Sequence, residues 1–393
     1  MLQDFRHHLY TEFVFGKDAE KNVGEDIKKY GAKKVLIVYG SERIRKDGLL
    51  PGIEEDLKKH GIEFVELGGV QPNPRLSLVR KGIEICKKEG VDFLLAVGGG
   101  SIIDTSKAIG MGALYDGDVW DLSSDPSKRK GMLPLAVVLT YPAAGSESSK
   151  GCVVTNDDKE PYVKASISGS DFARPVISFM NPELTYTLPK YLTACGIADM
   201  YVHILERYFS PVNPGSQDYI AEGLLKAIIE FGPKVLAEPN NYEYRAEIMW
   251  IGTLAHNDTC GVGRPQDWTT HGLGHEISAL YDTAHGATLT IVGPAWMKFV
   301  YKDNIARFAR FARNVFGINE ADDEKAALAG IEANREFYKK IGMPTSFKEG
   351  DIPTDQIDYM ARHAAELKGG SQGCMKKIGY KEGLEIYKIA AEA

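Results

Sequence analysis

The chain is predicted to fold in two parts: an α/β domain over residues 1–182, built on a parallel sheet, and an all-α domain over residues 183–393. Two observations carry this. Between about residue 20 and residue 182 short aliphatic runs alternate with amphipathic stretches, and beyond the proline-punctuated segment MNPELTYTLP strand-like runs nearly vanish while long helical patterns take over. Length agrees, since 393 residues exceed what one domain of about 150 residues accounts for.

In the first part KVLIVYG (34–40), IEFVELG (62–68), DFLLAVGGG (92–100), LPLAVVLT (133–140) and PVISFMN (175–181) are aliphatic or β-branched runs bounded by Gly, Pro or polar residues. These are the marks of buried strands. Between them KNVGEDIKKYG (21–31), LLPGIEEDLKKHG (49–61) and LSLVRKGIEICKKEG (76–90) carry helical apolar spacing and a glycine at the end. Alternation of this kind gives a parallel sheet covered on both faces, with ligands bound beyond the carboxyl ends of the strands. In the second part residues 191–209, 217–236, 242–257, 270–281 and 303–317 read as helices.

Composition narrows the class. Apolar residues make up 44% and charged residues 26%, ordinary for a globular protein. A net charge of -7, with basic residues interspersed among acids, argues against nucleic acid as a partner. The five cysteines, Cys86, Cys152, Cys195, Cys260 and Cys374, show no CxxC spacing and are odd in number, which fits a reducing cytoplasm. The first sixteen residues carry charges and histidines where a signal peptide needs an apolar run, and no stretch is long and apolar enough for a membrane span, so a soluble cytoplasmic protein is expected.

Two regions carry chemistry. AVGGGSIIDTSKAIG sets Gly98, Gly99, Gly100 and Ser101 straight after a buried strand and ahead of a helix. Lacking a Cβ, the glycines let backbone N–H groups approach an anion at a helix N-terminus, which makes this a candidate phosphate cradle. Asp104 and Lys107 follow on its first turns, and a second Gly-Ser loop, TYPAAGSESSKGCVVTN, follows the strand that ends near Thr140. The other region is helical. In CGIADMYVHILERYF, Asp199 and His203 lie four residues apart on one helix face, and in DWTTHGLGHEISALYDTAH, His271 and His275 repeat that step before His285. Three imidazoles with one carboxylate suit a divalent iron, zinc or nickel ion. Asp199 and His203 sit among apolar neighbours, where an uncompensated charge would be costly. The HEIS segment lacks the second histidine of the HExxH motif, so a metalloprotease is not expected. A site held by helices is expected to face the cleft toward the sheet domain.

The order GGGSxxDxxK, TxxxxGSE, NPELTYTLP, GIADxxxH, DWxxHxxxHEISALYDxxHGAxLxIxxPAWM and GLEIYKIA resembles, end to end, the iron-containing (group III) alcohol dehydrogenases, in particular their butanol dehydrogenase branch. The resemblance implies a dinucleotide-binding α/β domain and a helical metal-binding domain, the architecture also of dehydroquinate synthase. It further implies hydride transfer between NAD(P)(H) and a small primary alcohol or aldehyde. Metal ligands would fall on Asp199, His203, His271 and His285, leaving His275 beside the substrate as a proton relay. Cofactor contacts are expected from Gly40, Ser41, Asn73, Gly98, Gly99, Gly100, Ser101, Asp104, Thr140, Ser146 and Lys164. The family's usual Ala-Thr-Gly-Ser-Glu is here Ala143-Ala144-Gly145-Ser146-Glu147, without the threonine hydroxyl, and its customary Asp before Pro182 is Asn181. A lyase of the dehydroquinate synthase type is the competing reading, against which Asp199 and its apolar neighbours stand. A homodimer is expected. NADP(H) is favoured over NAD(H), because the first strand ends in Gly40 and Ser41 with no acid at the turn and with Arg43 close by.

Overall fold

A computed structural model describes residues 2–158, 160–167, 171–213 and 215–392. Two compact units emerge: His8–Leu188, and Pro189–Ala393 together with Met1–His7. The N-terminal segment joins the helical unit through a hydrogen bond from the Gln3 amide to the Gly263 carbonyl at 2.8 Å.

The α/β unit runs, in chain order, β1 (Glu12–Phe15), α1 (Val23–Lys29), β2 (Lys34–Tyr39), α2 (Arg43–Lys46), α3 (Leu49–Lys59), β3 (Glu63–Leu67), α4 (Leu76–Glu89), β4 (Phe93–Gly99), α5 (Gly100–Ala113), α6 (Asp121–Ser124), β5 (Leu135–Tyr141), β6 (Cys152–Asn156), β7 (Val163–Ile167) and β8 (Ile177–Met180). Six strands form one parallel sheet in the order β1-β8-β5-β4-β2-β3, and β6 and β7 pair as an antiparallel ribbon. Burial follows this order. The central strand β4 is buried throughout, whereas the edge strands β1 and β3 expose Glu12 and Glu63, charges that discourage edge pairing. The chain passes from β2 outward to β3, then returns across β2 to β4, so the connections reverse direction between β2 and β4. That reversal opens a crevice at the carboxyl ends of two neighbouring strands.

The other unit is helical: α7 (Lys190–Tyr208), α8 (Ser216–Ala237), α9 (Tyr242–His256), α10 (Thr269–Tyr281), α11 (His285–Val300), α12 (Ile305–Phe316), α13 (Asp323–Lys340), α14 (Ile357–Leu367) and α15 (Tyr380–Glu392). Helix α7 is buried continuously from Thr193 to Tyr208, with α8, α9, α10 and α11 packed against it. Its polar residues Asp199, His203, Glu206 and Arg207 are therefore removed from water and need partners.

The aliphatic runs and helical stretches singled out from the sequence all form strands and helices of the expected type. The edge strand β1 and the β6–β7 ribbon were not expected. Strand β1 is only four residues long, and CVVTN lay within what reads as a polar loop. Helix α11 also escaped, because HGATLTIVGPAWMKFV is buried nearly all round and so has no polar face to give it a period. No described helix is long and apolar enough to cross a membrane.

Candidate functional site

In the α/β unit the glycine loop stands at the point where the sheet reverses direction. Gly40 closes β2, and Gly98 and Gly99 end β4 and lead directly into α5. The glycines of the loop are closely hemmed by their neighbours. A Cβ on Gly98 would lie 2.0 Å from Ile102 Cδ1, one on Gly99 2.8 Å from Tyr141 Cβ, and one on Gly100 2.8 Å from Ala144 Cβ. Gly40 is held more loosely, 3.3 Å from the Val70 carbonyl. The backbone where β4 passes into α5 is thus packed closely enough to disfavour a side chain at Gly99 and Gly100, and Ser101 lies on the first turn of α5. Thr140, near the end of the adjacent strand β5, completes this row of carboxyl ends.

The remaining candidates cluster around it. Asn73, in the left-handed conformation at φ 56°, accepts a hydrogen bond at 2.9 Å from Nζ of the buried Lys164, so two residues far apart in sequence meet at one point. Asp104 is held at both oxygens. Ser146 Oγ donates to Oδ1 at 2.6 Å and the Val153 amide to Oδ2 at 2.9 Å. Lys107, fully buried, donates to the carbonyls of Ser149 and Gly151 at 2.8 and 2.9 Å, and burial lowers its pKa to about 8. Asp104 and Lys107 thus pin the second Gly-Ser loop against α5. Asn181 donates its Nδ2–H to Glu20 at 3.0 Å, a bond no aspartate carboxylate could make.

In the helical unit four predicted residues converge on one oxygen. Asp199 Oδ1 lies 3.4 Å from His203 Nε2, 3.5 Å from His271 Nε2 and 3.8 Å from His285 Nε2. Asp199, His271 and His285 form the tighter set, with ligand atoms all within 4.8 Å of one another. Helix α7 brings Asp199 and His203, α10 brings His271, and His285 opens α11. The rings of His203 and His271 stack with centroids 4.7 Å apart. His275 lies one turn beyond His271, its centroid 5.3 Å from that of His285 and 6.2 Å from that of His271. It stands beside the set rather than within it.

This arrangement fits a divalent cation on three counts. Tetrahedral ligands at about 2.0–2.2 Å from an ion stand about 3.4 Å from each other, close to the spacing seen around Asp199. The buried Nε2 of His271 points into the cluster without a hydrogen bond among the described residues. The carboxylates also favour positive charge at this point. Burial pulls the His271 pKa down, yet the Glu206 and Asp199 carboxylates on either side outweigh this and raise it to about 9. His203, by contrast, is driven well below its usual value by burial.

Several neighbours had no place in the sequence reading. Glu206 lies on α7 one turn beyond His203, on the face that carries Asp199, and its spacing was there to be read. His256 ends α9 with its ring centroid 4.1 Å from that of His203, and Arg207 donates to the His203 carbonyl at 2.9 Å while lying 4.7 Å over the Trp268 ring. The Trp268 ring has its centroid 5.3 Å from that of His271. Glu276 of the HEIS segment pairs instead with His363 Nδ1 on α14 at 2.7 Å.

A glycine-lined crevice where a parallel sheet reverses, and a separate helical unit with a carboxylate–histidine cluster suited to a divalent ion, define the class of metal- and nucleotide-dependent enzymes. Comparison with known proteins agrees. Residues 11–182 match the family model for iron-containing alcohol dehydrogenase, and residues 193–391 match that for the C-terminal domain of the Fe-containing alcohol dehydrogenase family. The chain is 41% identical to NADH-dependent butanol dehydrogenase A of Clostridium acetobutylicum over 98% of its own length and 99% of that protein. It is 37% identical to the NADPH-dependent aldehyde reductase YqhD of Escherichia coli, covering 93% and 94% of the two chains. The crystal structure of NADH-dependent butanol dehydrogenase A from Thermotoga maritima superposes with a TM-score of 0.95 at 41% identity, covering 99% of each chain. The chain belongs to the iron-containing alcohol dehydrogenase family and is an NAD(P)-dependent alcohol dehydrogenase. A dehydroquinate synthase-type lyase is not favoured.

Proposed function

We propose that the protein interconverts small primary alcohols and aldehydes, such as butanol and butanal, with Asp199, His203, His271 and His285 holding the divalent metal. The observation that carries this is the gathering of three imidazoles around one buried aspartate oxygen. When bound, the ion supplies Lewis acidity toward the substrate oxygen and the nicotinamide supplies or accepts the hydride. The chain's own residues do the rest. Asp199 contributes the negative charge that keeps a cation in a buried site. Gly98, Gly99 and Gly100 leave room for the dinucleotide phosphates at the start of α5, and Lys164 and Asn73 present a charged, hydrogen-bonded pair in the same unit. Aldehyde reduction consumes a proton as well as a hydride, and His275 carries that proton on its imidazole. The decisive assay follows NADPH and NADH consumption against a series of straight-chain aldehydes, with iron and zinc each restored to stripped protein. No turnover with any of them overturns the reading.

His275→Ala is expected to keep its metal while aldehyde reduction slows, by about 10²-fold if the ring acts as general acid. Metal content measured beside kcat decides between roles, because loss of stoichiometric metal would make His275 a ligand.

The cofactor preference proposed is NADP(H). Glu42, the one acid near the end of β2, has its carboxylate engaged, accepting from Tyr39 OH at 3.1 Å with Arg45 Nε at 3.6 Å. These contacts favour a Glu42 turned away from the role of an acid that binds the ribose hydroxyls and repels a 2′-phosphate. Arg43 lies on the adjoining turn, exposed and bonded to Asp47 at 3.2 Å. Relatives named for NADH and for NADPH both match this chain, so the ratio of kcat/KM for the two cofactors is the measurement that matters. A tenfold advantage for NADH, about 1.4 kcal/mol, overturns the preference. The expected setting is the cytoplasm, supported by five cysteines none of which is in a disulfide. The expected assembly is a homodimer, to be checked by light scattering.

A further inference from the structure

We propose that Glu206 is the positioning residue of the metal centre: it holds the His271 ring in the tautomer and orientation that turn its Nε2 lone pair toward Asp199. The inference rests on the reading of His271 as a metal ligand. Glu206 is 2% exposed, on helix α7, one turn past His203. Its two oxygens serve one residue. Oε1 accepts the backbone N–H of His271 at 3.0 Å, and Oε2 pairs with the ring Nδ1 of the same histidine. A single carboxylate therefore fixes both the main chain of α10 at its first turn and the imidazole that hangs from it.

The consequence follows from the donor count. With Nδ1–H donating to Oε2, the nitrogen left to give up its proton to a metal is Nε2, which faces the cluster 3.5 Å from Asp199 Oδ1. Rotation of the ring would break the Nδ1 bond and leave a buried carboxylate oxygen without a donor. The Glu206 backbone strengthens the arrangement, since its carbonyl accepts from the Asp267 amide at 2.9 Å and the Asp267 carboxylate accepts from the Thr269 amide at 3.2 Å. Helix α10 thus begins on α7 at the residue that orients its ligand. A carboxylate hydrogen-bonded to the far nitrogen of a metal-ligating histidine fixes the tautomer and raises the basicity of the ligand, and losing one costs about 10–100-fold in metal affinity.

Glu206→Gln tests this cleanly. The two donors of His271 need two acceptors, and a glutamine offers one. Zinc affinity is measured by competition with a chromophoric chelator, and the visible spectrum of the cobalt-substituted protein reports ligand geometry. Glu276→Gln is the control, a carboxylate equally buried on α10 but paired with His363. The expected result is a loss of about 10–100-fold in zinc affinity and a changed cobalt spectrum for Glu206→Gln, with Glu276→Gln unchanged in both. Affinity retained within about threefold in Glu206→Gln overturns the proposal, and so does an equal loss in both variants, which would mean general loosening of α10. Should Glu206→Gln fail to fold, Glu206→Asp keeps the charge but reaches only one of the two donors, and it must then show the loss of affinity. His285→Ala is measured alongside. If that variant binds zinc as the parent does, the ligand reading itself is overturned, a result separate from any behaviour of Glu206.

Discussion

His285→Ala protein is expected to lose both its metal and its activity. The three imidazoles around Asp199 Oδ1 come from three helices, and His285 is the contribution of α11. Its removal leaves two imidazoles and one carboxylate for a cation in a site where Asp199 and His203 are each 4% exposed. Lewis-acid stabilisation of the reacting oxygen is worth several kcal/mol, and every 1.4 kcal/mol or so is tenfold in rate, so a fall on the order of a thousandfold in kcat/KM is expected. Metal content by atomic spectrometry, measured on the preparation used for kinetics, checks both halves. Full activity from rigorously metal-free parent protein would sink the mechanism.

Gly286→Ala should damage the same site without touching a ligand. The residue after His285 lies directly on helix α7, where an added Cβ would stand 2.3 Å from the carbonyl oxygen of Cys195 and 2.7 Å from its Cα. Both are main-chain atoms of a buried helix, so neither can rotate away. Cys195 is one turn before Asp199, which means that α11 must retreat from α7 at the point where His285 meets the aspartate. Overpacking of this kind costs about 1–3 kcal/mol, and the displacement also separates two ligands. We expect a lower melting temperature together with reduced zinc affinity. A variant that keeps the parent's metal affinity would show that α7 and α11 can part here without moving the ligands.

Much of this was legible in the linear chain. Aliphatic runs bounded by Gly and Pro give buried strands wherever they occur, and a glycine triplet between a strand and a helix has few packing solutions. The proposed metal ligands were suggested because two of them, Asp199 and His203, share one helix face at a four-residue step, a periodicity that survives folding unchanged. Glu206 shows the limit. It stands three residues beyond His203 on the same helix and was equally visible, but nothing in the sequence distinguishes a glutamate proposed to orient a ligand from one that faces water. That role exists only once α10 is laid across α7 and its first-turn amide and imidazole both meet one carboxylate. Helix α11 marks the same limit from the other side, since a helix buried all round loses the polar face by which sequences announce helices. Local pattern, in short range, determined the class of the aliphatic strands and the amphipathic helices and the residue types at the centre. Which carboxylate balances which imidazole, and which glycine lets two helices touch, was decided only by the tertiary packing, because those energies depend on burial and on distances between segments that have no fixed spacing along the chain.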